Sequence, residues 1–160
     1  MAKIEVQLDL IRKYNVPGPR YTSYPTAPHF DEKVSWDMLV PYIKANNDPS
    51  QSDVPISLYF HLPFCKSLCW FCGCTNVISQ DTSCSVRYLE YLRKELDMLA
   101  PLLNSKRKMV QLHFGGGSPT YSEPAEILRL GGWIHELFSF DKSYEASVEV
   151  DPRTASEAKI

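Results

Sequence analysis

Residues 60–76 read "FHLPFCKSLCWFCGCTN" and crowd Cys65, Cys69, Cys72 and Cys74 into ten positions. Clustered thiolates are soft ligands for zinc or for iron–sulfur clusters. A disulfide knot fits poorly, because the total of five cysteines is odd and the chain reads as cytosolic, where thiols stay reduced. Zinc prefers four donors, usually as two separated pairs. A second Cys-x2-Cys half is missing, and Cys74 as fourth ligand would have to turn its sulfur to the same side as Cys72 two residues earlier. Three thiolates in one short loop, Cys65-x3-Cys69-x2-Cys72, suit a [4Fe–4S] cluster that leaves one iron open to a substrate. Spacing favours the cluster, and zinc stays open. Phe64, Trp70 and Phe71 are expected to keep water and oxygen off the site. Cys84, set apart, reads as a small buried hydrophobe.

The elements around this loop follow from periodicity. "IEVQLDLIRKY" (4–14) has helical spacing. "NVPGPRYTSYPTAPHF" is too rich in Pro and Gly for a helix or central strand. Its Arg20, Tyr21 and Tyr24 read either as a surface arm held by its rings or as a contact for a carboxylate-bearing ligand. Ser35 is placed to cap a helix over "WDMLVPYIKANN", with Pro41 kinking it or marking its first turns. "VPISLYFHL" (54–62) alternates as a first strand, with Tyr59 opposite Ile56, Leu58, Phe60 and Leu62. Leu89, Leu92, Leu96, Leu99 and Leu103 mark the next helix, capped by Ser83 or Ser85. "MVQLHF" (109–114) is a second strand, and Ser122 with Pro124 opens a third helix, in which Gly131 and Gly132 allow a close packing contact. "EASVEV" (145–150) is a third strand.

Crossovers this long make parallel neighbours and right-handed βαβ units. The class is therefore α/β, with an arm over 1–53 and a parallel domain over 54–160. In such sheets ligands gather at the carboxyl ends of the strands. The cysteine loop, "GGGSPT" after the second strand, and Glu149 with Asp151 at the third all fall there. "GGGSPT" lacks the Gly-Lys-Ser/Thr ending of a P-loop. A strand carboxylate such as Glu149 needs a partner, while Asp151 and Arg153 read as a pair across a turn. His61 and His113 read as satisfied core histidines.

At 160 residues, with 44% apolar and 22% charged residues and a formal charge of −2, the composition is that of a globular domain. It carries no electrostatic attraction for nucleic acid or an anionic membrane, and no apolar run is of membrane-spanning length. The last residues, "SVEVDPRTASEAKI", read as strand, turn and opening helix. The chain is accordingly expected to be a piece of a longer protein.

"GPRYTSYPTA", "YFHLPFCKSLCWFCGC", "LHFGGGSPTY" and "VEVDPR" together resemble the oxygen-independent coproporphyrinogen III oxidases (dehydrogenases) of haem biosynthesis, within the radical S-adenosylmethionine (radical SAM) enzymes. The likeness runs in order from about residue 8 to 153. Cys74 and the N-terminal arm separate the pattern from the haem chaperones. The resemblance implies the first three strands of a partial TIM barrel, the radical-SAM (β/α) barrel. It implies a cluster on Cys65, Cys69 and Cys72 and two molecules of S-adenosylmethionine, with Tyr59, Phe71, Gly116 and Glu149 near the first and Gly117 and Ser118 near the second. Serine at 118 is a mild departure from the family's frequent threonine. The implied reaction cleaves the cofactor reductively, and a deoxyadenosyl radical abstracts hydrogen from a propionate of coproporphyrinogen III. Carbon dioxide and an electron leave, and two rounds give protoporphyrinogen IX. A reducing donor such as flavodoxin or ferredoxin, a cytoplasmic monomer at full length, and an inactive 160-residue piece complete the expectation. The alternatives are another radical SAM enzyme or haem chaperone on this scaffold, and a non-catalytic zinc module.

Overall fold

A computed structural model of the chain describes residues 7–16, 25–45 and 47–159. It forms two compact units, residues 1–35 and 36–160. In the first, α1 spans Leu8–Tyr14, with Asp9 in its first turn and Arg12 and Lys13 in its last, the order that complements the helix dipole. The expected start at residue 4, and Arg20, Tyr21 and Tyr24, lie outside the described residues.

In the second unit α2, Trp36–Ala45, runs through Pro41 and buries no side chain. The sheet then begins with β1, Ile56–Leu62. Two short strands follow, β2 (Phe64–Cys65) and β3 (Val77–Ile78), paired in parallel. α3 is Ser83–Leu99, β4 Lys108–Gly116, α4 Pro124–Leu137 and β5 Ser139–Val148. β1, β4 and β5 form one three-stranded sheet in that order, and both pairings are parallel, as the crossover lengths require.

One face of this sheet is packed. Phe60, Leu62, Met109 and Leu112 meet Leu89, Leu92 and Leu96 of α3 and Leu130 and Ile134 of α4. The leucine ladder of α3 is thus the core face, with Leu99 only half-buried. Met109 and Leu112 share that face although three residues apart, because the register slips between Met109 and Gln111. A larger irregularity lies in β5, where Phe140 pairs with Met109 but Glu145 pairs with Gln111. The strand expected over 145–150 is observed as Ser139–Val148: it begins six residues earlier, with Phe140 packed against the core, and ends before Glu149. The opposite face is open: Ser57, Tyr59, Gln111, His113, Glu145 and Ser147 line a groove of about 650 Å3.

Three local expectations are corrected. Neither Ser83 nor Ser85 caps α3: Thr82 holds the cap position without a side-chain bond, and Asp81 Oδ1 accepts the Ser83 N–H at 3.0 Å instead. Ser85 is buried, its hydroxyl 2.9 Å from Glu126 Oε2 on α4. α4 is capped by Glu123 rather than Ser122, in a reciprocal box with Glu126 ahead of Pro124. Gly131 and Gly132 make no close contact, since an added Cβ at either meets nothing within 4 Å.

Candidate active site at the carboxyl rim of the sheet

The rim is built by backbone bonds between the strand ends. The Gly117 N–H donates to Leu62 O at 2.8 Å and the Ser118 N–H to Phe64 O at 2.9 Å. These bonds draw the turn after β4 under the start of the cysteine loop. A Cβ at Gly117 would stand 2.6 Å from the Pro63 carbonyl carbon. Gly116 adopts φ of +106°, and a Cβ there would enter the His61 ring. The triple glycine is therefore required by neighbouring protein atoms; Gly115 and Gly116 are buried, and Gly117 is the one that lines a cavity.

The cysteine loop is anchored at its start and exposed beyond. Phe64 is buried, edge-on to Tyr88 at 5.5 Å and stacked on Tyr121 at 5.6 Å. The Val77 and Ser79 N–H groups donate to Pro63 O and Cys65 O, closing the loop with the β2–β3 ladder. A second clamp is His61. Thr75 O can only accept, so His61 Nε2 donates to it at 2.9 Å, and Nδ1 is left to accept from Tyr59 Oη at 3.0 Å. Cys65 is half-buried, whereas Cys69, Cys72 and Cys74 are exposed. Trp70 and Phe71 project fully into solvent, at 99% and 101% exposure. Of the three rings expected to shield the site, only Phe64 is enclosed, because only Phe64 lies within the β2 anchor.

None of the five thiols is in a disulfide. Burial and repulsion from the neighbouring Cys72 and Cys69 push the Cys65 thiol above its usual range, and repulsion from Cys72 does the same to Cys74. Such mutual repulsion is what a cationic iron core relieves, so the donor set fits an iron–sulfur cluster. Among the described residues, no three His, Cys, Asp or Glu side chains already stand at metal-gripping distances. The thiols share a loop without converging. Cys84 is half-buried, its Sγ–H donating to Asp81 O at 2.9 Å.

Facing the loop, a cavity of about 460 Å3 is lined by Cys65 and Cys69, Gly117 and Ser118, and Glu149 to Arg153. Contributions from the ends of β1, β4 and β5 meet here. Glu149 follows β5, its N–H bonded to Phe114 O at 2.9 Å. Its Oε2 accepts the Gly116 N–H at 3.1 Å, and Oε1 lies 3.4 Å from His113 Nε2. His113 Nδ1 is 2.7 Å from Ser147 Oγ. Both histidines are satisfied, but on the open face of the sheet, not in the core. Tyr59 stands beside them, 56% exposed and stacked on His113 at 5.6 Å. Ser118 is buried, its hydroxyl 3.1 Å from Thr120 Oγ1. Asp151 and Arg153 pair as expected, Oδ2 to Nη2 at 2.8 Å. Arg153 holds the Asp151 carboxyl below the usual carboxylate range.

Two contacts are not among the expectations from the sequence. Arg153 Nη2 lies 3.4 Å from Cys69 Sγ, across 84 residues of chain, and Asn76 Nδ2 donates to Cys72 Sγ at 2.9 Å. The Asn76 contact follows from proximity to the motif; nothing local marks the Arg153 contact.

No family model matches the chain. It is 42% identical over 151 residues to the oxygen-independent coproporphyrinogen III oxidase of Escherichia coli K12, covering 94% of this chain and 32% of that one. With the enzyme of the same name from Helicobacter pylori strain 26695 it shares 40% over 149 residues, covering 92% of this chain and 32% of the other. A sequence so named from Mannheimia haemolytica is 41% identical over 152 residues, 95% of this chain and all of the other. The solved E. coli coproporphyrinogen III oxidase, described as a radical SAM enzyme, superposes with a TM-score of 0.77 at 39% identity, covering 97% of this chain and 33% of that one. The chain thus spans about a third of the length of the first curated relatives it matches. No helix among the described residues is long and apolar enough to cross a membrane.

Proposed function

The chain belongs to the family of oxygen-independent coproporphyrinogen III oxidases, and on that premise we propose that it forms the cluster-holding part of an enzyme that oxidatively decarboxylates coproporphyrinogen III to protoporphyrinogen IX. The observation that carries this reading is the meeting of the cysteine loop, Gly117, Ser118 and Glu149 around one cavity. Cys65, Cys69 and Cys72 are the residues that would hold a [4Fe–4S] cluster. When bound, that cluster supplies the electron that cleaves the sulfonium of S-adenosylmethionine.

The chain's own residues bind and orient. Glu149, with one oxygen held by Gly116, keeps acceptor capacity for the ribose or amino group of the cofactor. Gly116, whose N–H holds Glu149, stands near the first S-adenosylmethionine, and Gly117 lines the cavity with its backbone. Tyr59 presents a ring and hydroxyl from the open face, and Phe71 presents its ring or backbone from the loop. Gly117 and Ser118 face a second S-adenosylmethionine. Coproporphyrinogen III is the substrate, and a small reducing protein of the flavodoxin or ferredoxin type supplies electrons to a cytoplasmic monomer.

Anaerobic reconstitution tests the reading. The full-length protein is expected to turn brown, to carry iron and sulfide, and to convert coproporphyrinogen III with release of 5′-deoxyadenosine. Cys69→Ala is expected to lose the iron and sulfide. A full cluster in that variant, or a colourless parent holding one zinc ion, would refute it.

A further inference from the structure

Two of the three thiols assigned to iron accept a hydrogen bond from a side chain outside the Cys65–Cys72 stretch: Cys69 from Arg153 Nη2 at 3.4 Å and Cys72 from Asn76 Nδ2 at 2.9 Å. Arg153 does not reach Cys69 as a free surface side chain. Asp151 grips its guanidinium through Nη2–Oδ2 at 2.8 Å and Nε–Oδ1 at 3.0 Å, and the Arg153 backbone N–H donates to the same Oδ1 at 3.0 Å. Backbone and side chain are thus fixed by one carboxylate, and the remaining edge of the guanidinium points at sulfur. The segment Asp151–Arg153 lines the same cavity as Cys65 and Cys69.

We propose that Arg153, clamped by Asp151, and Asn76 are positioning residues that present Cys69 and Cys72 and make the bound cluster easier to reduce. This rests on the cluster assignment above. Reduction adds one negative charge, shared between iron and the ligand sulfurs. An N–H aimed at a ligand sulfur favours the more negative form, and a cationic donor does so more strongly than a neutral one. Arg153 keeps its charge at every working pH. The Asp151 carboxylate offsets that charge at a distance but leaves the Nη2–Sγ contact intact. Asn76 brings a neutral donor, so its effect is the smaller.

The test is a potentiometric titration of the reconstituted full-length protein with dithionite, reading the reduced cluster by electron paramagnetic resonance. At the wild-type midpoint, Arg153→Met is expected to lower the ratio of reduced to oxidised cluster about tenfold, which is ~59 mV for a one-electron couple. Asn76→Leu shifts the same way by less. Arg153→Lys keeps a charge without the fork and falls between Arg153→Met and wild type. A variant that melts as wild type yet takes up no iron also supports the role, because Cys69 or Cys72 is then not presented. If Arg153→Met does not fold, Arg153→Lys and Asn76→Leu decide. Full iron content with unchanged midpoints in the folded variants overturns this inference alone. A wild-type protein without a cluster overturns the functional reading beneath it.

Discussion

The Gly116 N–H donates to Glu149 Oε2 at 3.1 Å, joining the end of β4 to the residue that follows β5. The other carboxylate oxygen faces His113 at 3.4 Å, so the carboxylate is oriented from two sides before any ligand arrives. Pre-orientation of this kind reduces the ordering cost of binding.

Glu149→Gln keeps an oxygen for Gly116 and nearly the same shape, but loses a charged acceptor. It is expected to melt as wild type and to bind S-adenosylmethionine about tenfold more weakly in calorimetry, the scale of one charge-assisted hydrogen bond. Unchanged affinity would remove Glu149 from the binding site.

The glycines separate into two kinds. Gly116→Ala meets both a positive φ and the His61 ring, and is expected to cost about 1–3 kcal/mol in urea denaturation. Gly131→Ala and Gly132→Ala, within α4 and facing open space, are expected to stabilise by ~0.5–1 kcal/mol each. Destabilisation by the α4 substitutions would mean that another surface packs there.

Tyr88 donates to His61 O at 2.8 Å, and burial raises its phenol above the ordinary value of about 10. The sign follows from linkage. Above that pH the unfolded chain loses the proton while the folded chain keeps it, so stability is complete below about pH 10 and falls as pH rises toward the folded value. Alkaline titration followed by far-ultraviolet circular dichroism should show this decline, and Tyr88→Phe should flatten it while lowering stability at neutral pH. An unchanged slope would place the alkaline transition elsewhere.

Trp70 and Phe71 are fully exposed. Replacing either by Ser is expected to change folding stability by less than ~0.5 kcal/mol. Any effect should appear in cluster lifetime under air or in cofactor affinity. A large drop in melting temperature would show that the rings pack against part of the protein.

What could be read from sequence was local. Leu89, Leu92 and Leu96 announced the core face of α3 by spacing alone, and they are buried there. The alternation of β1 put Tyr59 opposite Phe60 and Leu62, which is where it stands. The crossover lengths required parallel strands, and parallel strands required the cysteines, the glycines and Glu149 to share one rim. The helix starts were misjudged because Asp81 and Glu123 do work that a neighbouring serine could equally have done.

By itself, then, the sequence determined the order and direction of the strands, the buried face and the end of the sheet where chemistry gathers, since periodicity and chain length are properties of neighbouring residues. Only the tertiary structure decided that His61 ties Tyr59 to the cysteine loop, that Gly116 holds Glu149, and that Arg153 reaches Cys69. Those contacts join segments up to 84 residues apart. They exist because the β1–β4–β5 register brings those strand ends side by side, and no local spacing encodes such a meeting.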